Sequence, residues 1–424
     1  MPKSFCLTAW DCLQLLTKKF SDQQVRMVVE FDGRLDESRL AEAVRAAVEA
    51  EPILACRVRD RYFRPRWEPI SRFDPKALLR IIPKTDADKD INALLVEDLD
   101  PWRGPIVRIG LVRGERDVLV VNLDHSAGDA ASVRSLTYLL ASLYNHPNRI
   151  QALERGAYFA KRGFRSLRPL IPRFGGKKGR LIPPPDAADP SWRFPWRPGM
   201  AEPRKRFLIR RLAPAKAEAI RNFAAAREAW FNDIFLAAYF RGLDRLVGKD
   251  AGVPRLTVPV DMRAYVSARE RPRIANFSAS FEAALDRGLG GSFEETFDLV
   301  RVATEKEKQG RPGLGQAAAL SSLAHWIPYR LIKNRFEKGK VRMTLPPPWF
   351  IALGVLRPEN LSFGSVPARY AYSLPSVCRA GTVFQLSASL FAESITLAVC
   401  FAGDDVNEEV VNRFLDFYEA ELPS

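Results

Sequence analysis

Apolar positions along the chain fall into short alternating runs and longer helical stripes, interleaved from one end to the other. Val25 to Phe31 alternates as a strand, with Asp32-Gly33 as its turn. Glu37 to Ala50 sets Leu40, Ala43, Val44, Ala47 and Val48 on one helical face, and Pro52 stops that helix. Thr8 is placed to cap a short amphipathic helix reaching Phe20, and Ile53 to Val58 reads as extended. Strands are expected near Leu78–Ile82 and Ile106–Val112, with helix Ile91–Leu99 between them. Val118 to Leu123 reads as a central strand, followed by Asp124-His125-Ser126-Ala127-Gly128-Asp129 and a helix from Ala130 to Tyr144.

The texture changes near residue 150. Nine prolines fall between 161 and 206, among Arg, Lys, Phe164, Phe174, Trp192, Phe194 and Trp196. Proline at that density excludes a regular helix or a central strand, so an irregular, partly exposed crossover between two lobes is expected. Phe207 to Leu212 resumes as a strand, and Pro214 to Val247 is helical in two pieces broken near Trp230. Strands follow at Leu256–Val260, Asn276–Phe281, Trp349–Leu356, Thr382–Leu390 and Ser394–Phe401. Helices are expected at Phe293–Lys308, Ala317–Asn334 and Asn407–Glu421. The organisation is therefore α/β, with an N-terminal lobe over 1–155, a crossover over 156–206 and a C-terminal lobe over 207–424.

A chain of 424 residues exceeds one ordinary core, which agrees with two lobes. Apolar content of 47% and charged content of 27% belong to a globular protein. The longest uncharged window, Pro312 to Tyr329, is too diluted by glycine, serine, glutamine and proline to read as a membrane span. No signal peptide is expected, because Asp11 interrupts the first apolar patch. Five cysteines without paired spacing argue against a disulfide framework or a zinc ribbon and suit a reducing cytoplasm.

The net charge of +15 is concentrated: 13 Lys/Arg face three acidic residues between 161 and 206. Besides a solvated crossover, that tract suits peripheral contact with an anionic membrane, with Trp192, Phe194 and Trp196 as anchors. It also suits the phosphates of coenzyme A or an acidic carrier protein. Nucleic acid ranks last, since no binding motif accompanies the charge.

His125, one of three histidines, stands where a buried strand hands over to a helix, and imidazole both takes and gives a proton near neutrality. An isolated buried histidine is more often structural, and a spacing of His-x3-Asp is short enough to arise by chance. Metal is not expected, because His146 and His325 lack ligand-like spacing. No Gly-x-Ser-x-Gly elbow and no Gly-x4-Gly-Lys-Ser/Thr loop occurs.

His125 to Asp129, preceded by Asp100-Pro101-Trp102-Arg103-Gly104-Pro105, resembles the His-His-x3-Asp-Gly signature of the chloramphenicol acetyltransferase-like superfamily, which includes condensation domains and stand-alone acyltransferases. The likeness runs along most of the chain. Gly33-x-Leu35-Asp36, Pro52-x-Leu54, Trp230 to Leu243, Pro259-Val260-Asp261-Met262-Arg263, Ile274-Ala275-Asn276-Phe277 and Leu353-Gly354 follow the family's order. Asp124 replaces the first histidine, Ala130 replaces the closing glycine, and Ala55 stands where peptide-forming members carry arginine, with Arg57 nearby.

The resemblance implies two chloramphenicol acetyltransferase-like lobes, each a mixed sheet with flanking helices, and an active-site tunnel between them. It implies an acyltransferase with His125 as general base and Asp129 paired to Arg263 as structural support. The thioester of coenzyme A or phosphopantetheine would be a co-substrate, with a small-molecule alcohol or amine as acceptor and no permanently bound cofactor. Gly128, Asn276, Ser278 and Gly354 are candidates for the oxyanion site or tunnel wall. Asp124 and Ala130 also suit a catalytically altered member that serves as a binding or assembly partner.

Overall fold

The structure is a computed structural model that describes residues 4–147, 162–174, 192–195, 204–248, 252–338, 347–378 and 384–424. The N-terminal half is built on a five-stranded sheet in the order Ala368–Leu374, Gln24–Phe31, Val118–Asp124, Val107–Arg113, Leu79–Pro83. Its last pair is parallel and the others antiparallel. Strand Val118–Asp124 lies at the centre, buried at every position. One face, with Leu119, Val121 and Leu123, packs under helices Glu37–Ala50 and Ala130–Asn145. The other, with Val118 and Val120, packs against Leu94, Leu95 and Tyr372. Cover on both faces is why this stretch shows no alternation. Within it, the buried Asn122 donates from Nδ2 to the carbonyl of Leu94 at 2.7 Å.

A six-stranded sheet carries the C-terminal half, in the order Ser278–Ala284, Arg255–Asp261, Trp349–Leu356, Phe384–Phe391, Ser394–Ala402, Lys205–Arg211. Helices Phe231–Val247, Phe293–Gln309 and Glu408–Glu421 contribute to its core. A small three-stranded sheet of Phe5–Cys6, Arg66–Pro69 and Cys56–Arg59 sits beside the first.

Three sequence expectations need correction. First, the expected C-terminal lobe lends a strand to the N-terminal sheet. Ala368–Leu374 pairs antiparallel with Gln24–Phe31, bringing Tyr372 opposite Val28. Ser373 then stitches the two sheets together, donating its N–H to Ser389 Oγ at 3.1 Å and accepting from Ser387 Oγ at 2.8 Å.

Second, Trp192 and Phe194 of the 161–206 tract are buried, although neighbours such as Arg168, Pro195 and Arg204 are exposed. Trp192 and Phe194 are 2% and 3% exposed, and Phe194 stacks on Phe384 with ring centroids 4.1 Å apart. Rings of this size gain about 2–3 kcal/mol each from burial, so neither is an interfacial anchor. Trp196 lies outside the described residues.

Third, Ala317–Asn334 is two helices, Leu314–Trp326 and Tyr329–Glu337. Pro328 disfavours helical backbone at the preceding residue, and Ile327 is extended. Pro52 acts similarly earlier: a 3-10 turn over Pro52–Ala55 precedes strand Cys56–Arg59, where extended chain was expected throughout.

Candidate active site

His125 lies on the short loop between strand Val118–Asp124 and helix Ala130–Asn145. Asp129 caps that helix in a reciprocal capping box with Ser132. On the other side, the His125 N–H donates to the carbonyl of Gln23 at 2.7 Å. Gln23 itself has a φ of 50°, a left-handed conformation of the kind that clusters at functional sites.

The half-buried His125 ring meets the C-terminal half through Asn276, whose Oδ1 is 3.1 Å from Nδ1. The orientation of the Asn276 amide follows from its other contacts. Its Nδ2 faces three acceptors: Asp11 Oδ1 at 3.0 Å, the His125 carbonyl at 2.8 Å and the Ser126 carbonyl at 3.1 Å. A reversed amide would turn its oxygen on those three oxygens, so Oδ1 must face the ring. Nδ1 is then the protonated nitrogen of the neutral ring, and the lone pair of Nε2 is available for chemistry.

Asp129 is buried and does not act on the ring. Its Oδ2 accepts from Arg263 Nη1 at 2.9 Å, the Phe277 N–H at 2.8 Å and Ser278 Oγ at 3.0 Å. Its Oδ1 accepts from the Ser132 N–H at 3.0 Å. Burial alone would raise this carboxyl, but the Arg263 charge and these hydrogen bonds outweigh it and hold the group at about 2. Arg263 also donates to Asp261 at 3.0 Å and to the carbonyls of Pro272 and Ala275 at 2.9 and 2.7 Å. Ser132 accepts from Arg263 Nη2 at 3.0 Å and from the Ala275 N–H at 3.1 Å. The pair thus clamps the loop of one half to segment 272–278 of the other.

Two expected oxyanion donors therefore have other positions. Ser278 Oγ is directed at Asp129, and the Asn276 amide at the His125 loop and Asp11. Gly128 is required sterically, since a Cβ there would lie 2.7 Å from Ser132 Cβ. Gly354 has a φ of +72° and sits at a register shift of strand Trp349–Leu356, next to Leu353, whose carbonyl accepts from Arg134 at 2.6 Å. A cleft of about 330 Å³ opens farther along helix Ala130–Asn145, lined by Ser135, Tyr138, Arg273 and Asn360 among others, and His125 does not line it.

Asp124, directly before His125, is fully buried and engaged in structural contacts. It pairs with Lys18 Nζ at 2.6 Å and accepts from the Ser126 N–H and Oγ at 2.9 and 2.5 Å. Sequence reasoning missed two further members. Asp11 accepts from Asn276 and also from Arg162 Nη2 at 3.1 Å. Arg162 reaches the carbonyls of Ala127 and Ile274 at 2.9 and 2.5 Å. Arg162 is one of thirteen cations in one tract, and in the sequence Asp11 is only a break in an apolar patch.

This architecture is a chloramphenicol acetyltransferase-like fold, shared with condensation domains and with an O-acetyltransferase of known structure. No protein-family model matches the sequence, and no curated protein matches it at sequence level. Among solved structures, the first condensation domain of the calcium-dependent antibiotic synthetase, in complex with a substrate analogue, is similar with a TM-score of 0.72 and 17% identity, over 99% of this chain and 97% of that one. The TRI3 trichothecene 15-O-acetyltransferase from Fusarium sporotrichioides gives a TM-score of 0.71 at 11% identity, over 99% and 96%. Polyketide synthase associated protein 5 from Mycobacterium tuberculosis gives 0.63 at 14% identity, over 98% of each chain.

Proposed function

We propose that the protein is an acyltransferase that moves an acyl group from a thioester to an alcohol or amine, with His125 as general base. The observation that carries this reading is the Asn276 contact, which leaves Nε2 of His125 as the unprotonated nitrogen. Fold alone does not define a reaction. A named O-acetyltransferase and a condensation domain among the neighbours support acyl transfer as its class.

Nε2 takes the proton from the acceptor O–H or N–H as that atom bonds to the thioester carbonyl carbon. The C–S bond then breaks, and the same proton passes from Nε2 to the departing sulfur, leaving a free thiol and an ester or amide. Proton and electron pairs balance over the cycle, so the histidine ends neutral. The donor is acyl-coenzyme A or an acyl-phosphopantetheine on a carrier protein, acting as co-substrate, and the acceptor is a small molecule.

Thiol release from a panel of acyl-coenzyme A donors and acceptors tests this in wild type and His125→Ala. Release in wild type that disappears in the variant is expected, and equal release in both overturns the reading. Donor binding without release in either protein would favour a binding or assembly role.

A further inference from the structure

Two segments distant in sequence meet on the outside of the molecule. The Tyr329 N–H donates to the Phe63 carbonyl at 3.0 Å, and the Arg330 N–H donates to the Tyr62 carbonyl at 3.1 Å. Loop 60–64 therefore lies along the start of helix Tyr329–Glu337, beside the end of helix Leu314–Trp326. Trp326 is 78% exposed and Phe63 67%, and Tyr62, Leu323, Ile327 and Leu331 are exposed with them. Six of the twelve exposed large apolar side chains among the described residues belong to this one corner, which is a patch and not the usual scatter.

The rim is cationic. Segments 60–64 and 323–338 carry six Lys/Arg against Asp60 and Glu337. Both carboxylates lie against Lys333, at 3.4 and 3.9 Å, so the positive excess rests on Arg61, Arg64, Arg330, Arg335 and Lys338. Helix Leu314–Trp326 has no charged Lys, Arg, Asp or Glu along its length.

We infer that this corner docks on an anionic phospholipid surface, with Trp326 and Phe63 inserted at headgroup depth and the surrounding cations on lipid phosphates. A protein partner would need a matching hole for each protruding ring, whereas a bilayer interface accepts Trp, Tyr and Phe without one. Each cation near an anionic membrane adds to the attraction, and the two terms act together on one face. The opposite end of the same helix reaches the site. Leu314 packs with Met262 and Phe277, and Gln316 Nε2 donates to the Ser280 carbonyl at 3.2 Å. Docking would thus hold the junction of the two halves one helix length from lipid.

Sedimentation with vesicles tests the inference on the full chain. Wild type should sediment with vesicles of equal parts phosphatidylglycerol and phosphatidylcholine, far less with phosphatidylcholine alone, and less as salt is added. Trp326→Ser with Phe63→Ser should lower affinity about tenfold or more, and Arg330→Glu with Arg335→Glu should remove the preference for phosphatidylglycerol. These positions are exposed, so thermal melting should be unchanged in both variants. Wild type that stays in solution, variants that sediment like wild type, or equal binding to both vesicles overturns the inference. So does wild type that ignores vesicles and binds an acidic carrier protein through Trp326. The inference is independent of the acyl-transfer reading, since His125→Ala should sediment like wild type whatever its activity.

Discussion

Asn276 holds His125 by both ring and main chain, accepting from Nδ1 at 3.1 Å while donating to the histidine carbonyl at 2.8 Å. Loss of that acceptor frees the ring to take the other tautomer, in which Nε2 carries the proton and cannot act as a base. Asn276→Leu should therefore lower kcat by roughly a hundredfold or more with a smaller change in KM. A purely structural residue would instead reduce the folded fraction, so kcat is referred to active protein and compared with the melting curve. Asn276→Asp should not rescue activity, because it sets a second carboxylate against Asp11 in a buried site.

Asp129 and Arg263 should behave as one unit. Asp129→Asn leaves the Arg263 charge buried and turns an amide on three donors, so a loss of roughly 3–5 kcal/mol is expected. The pH dependence carries a signature. A carboxyl held at about 2 stabilises the fold above its ordinary value of 3.8, and that contribution disappears as pH falls through the folded value. Acid denaturation of wild type should include a step between these two values that Asp129→Asn lacks. Identical acid profiles for the two proteins would contradict the assignment.

Much of this was legible in the residues, for identifiable reasons. Strand Val118–Asp124 and helix Glu37–Ala50 announce themselves because each buries one continuous set of apolar positions. Asp129 with Arg263 was legible from the family resemblance alone, since 134 positions separate them in sequence. Ala368–Leu374 was missed, because arginine, serine and two alanines dilute its apolar pattern and its partner strand lies at the other end of the chain. Arg162 and Asp11 were hidden for a related reason: their significance is a long-range contact, and local pattern records none. Trp192 and Phe194 misled in the opposite direction, since proline-rich context suggested exposure while tertiary packing buried both rings.

Asp124 should prove structural. Its carboxylate is fully buried against Lys18, and Asp124→Ala would strand that ammonium among backbone oxygens, with Leu99 O at 3.0 Å. The expected result is a loss of roughly 3 kcal/mol in chemical denaturation. The surviving folded fraction should keep a pH–rate profile of the same shape, because Asp124 has no contact with the ring nitrogens among the described hydrogen bonds. A displaced profile would instead give Asp124 a part in the chemistry.

Glu51 should make stability depend on pH in the neutral range. It follows helix Glu37–Ala50 and reaches across to Arg273 at 2.7 Å, three residues before Asn276. Burial pushes its carboxyl up to about 7, opposed incompletely by Arg273 and by the more distant charge of Arg162. Between an ordinary value of 4.5 and this one, the folded chain holds a proton that the unfolded chain has released. Stability from this group is therefore full at the acid end and is lost as pH rises, by roughly 3 kcal/mol across the window. Glu51→Gln removes the titration while keeping an acceptor for Arg273. The gap in denaturation midpoint between variant and wild type should accordingly move in favour of the variant from pH 5 to pH 8, and parallel midpoints across that range would show that Glu51 is not buried against Arg273 in this way.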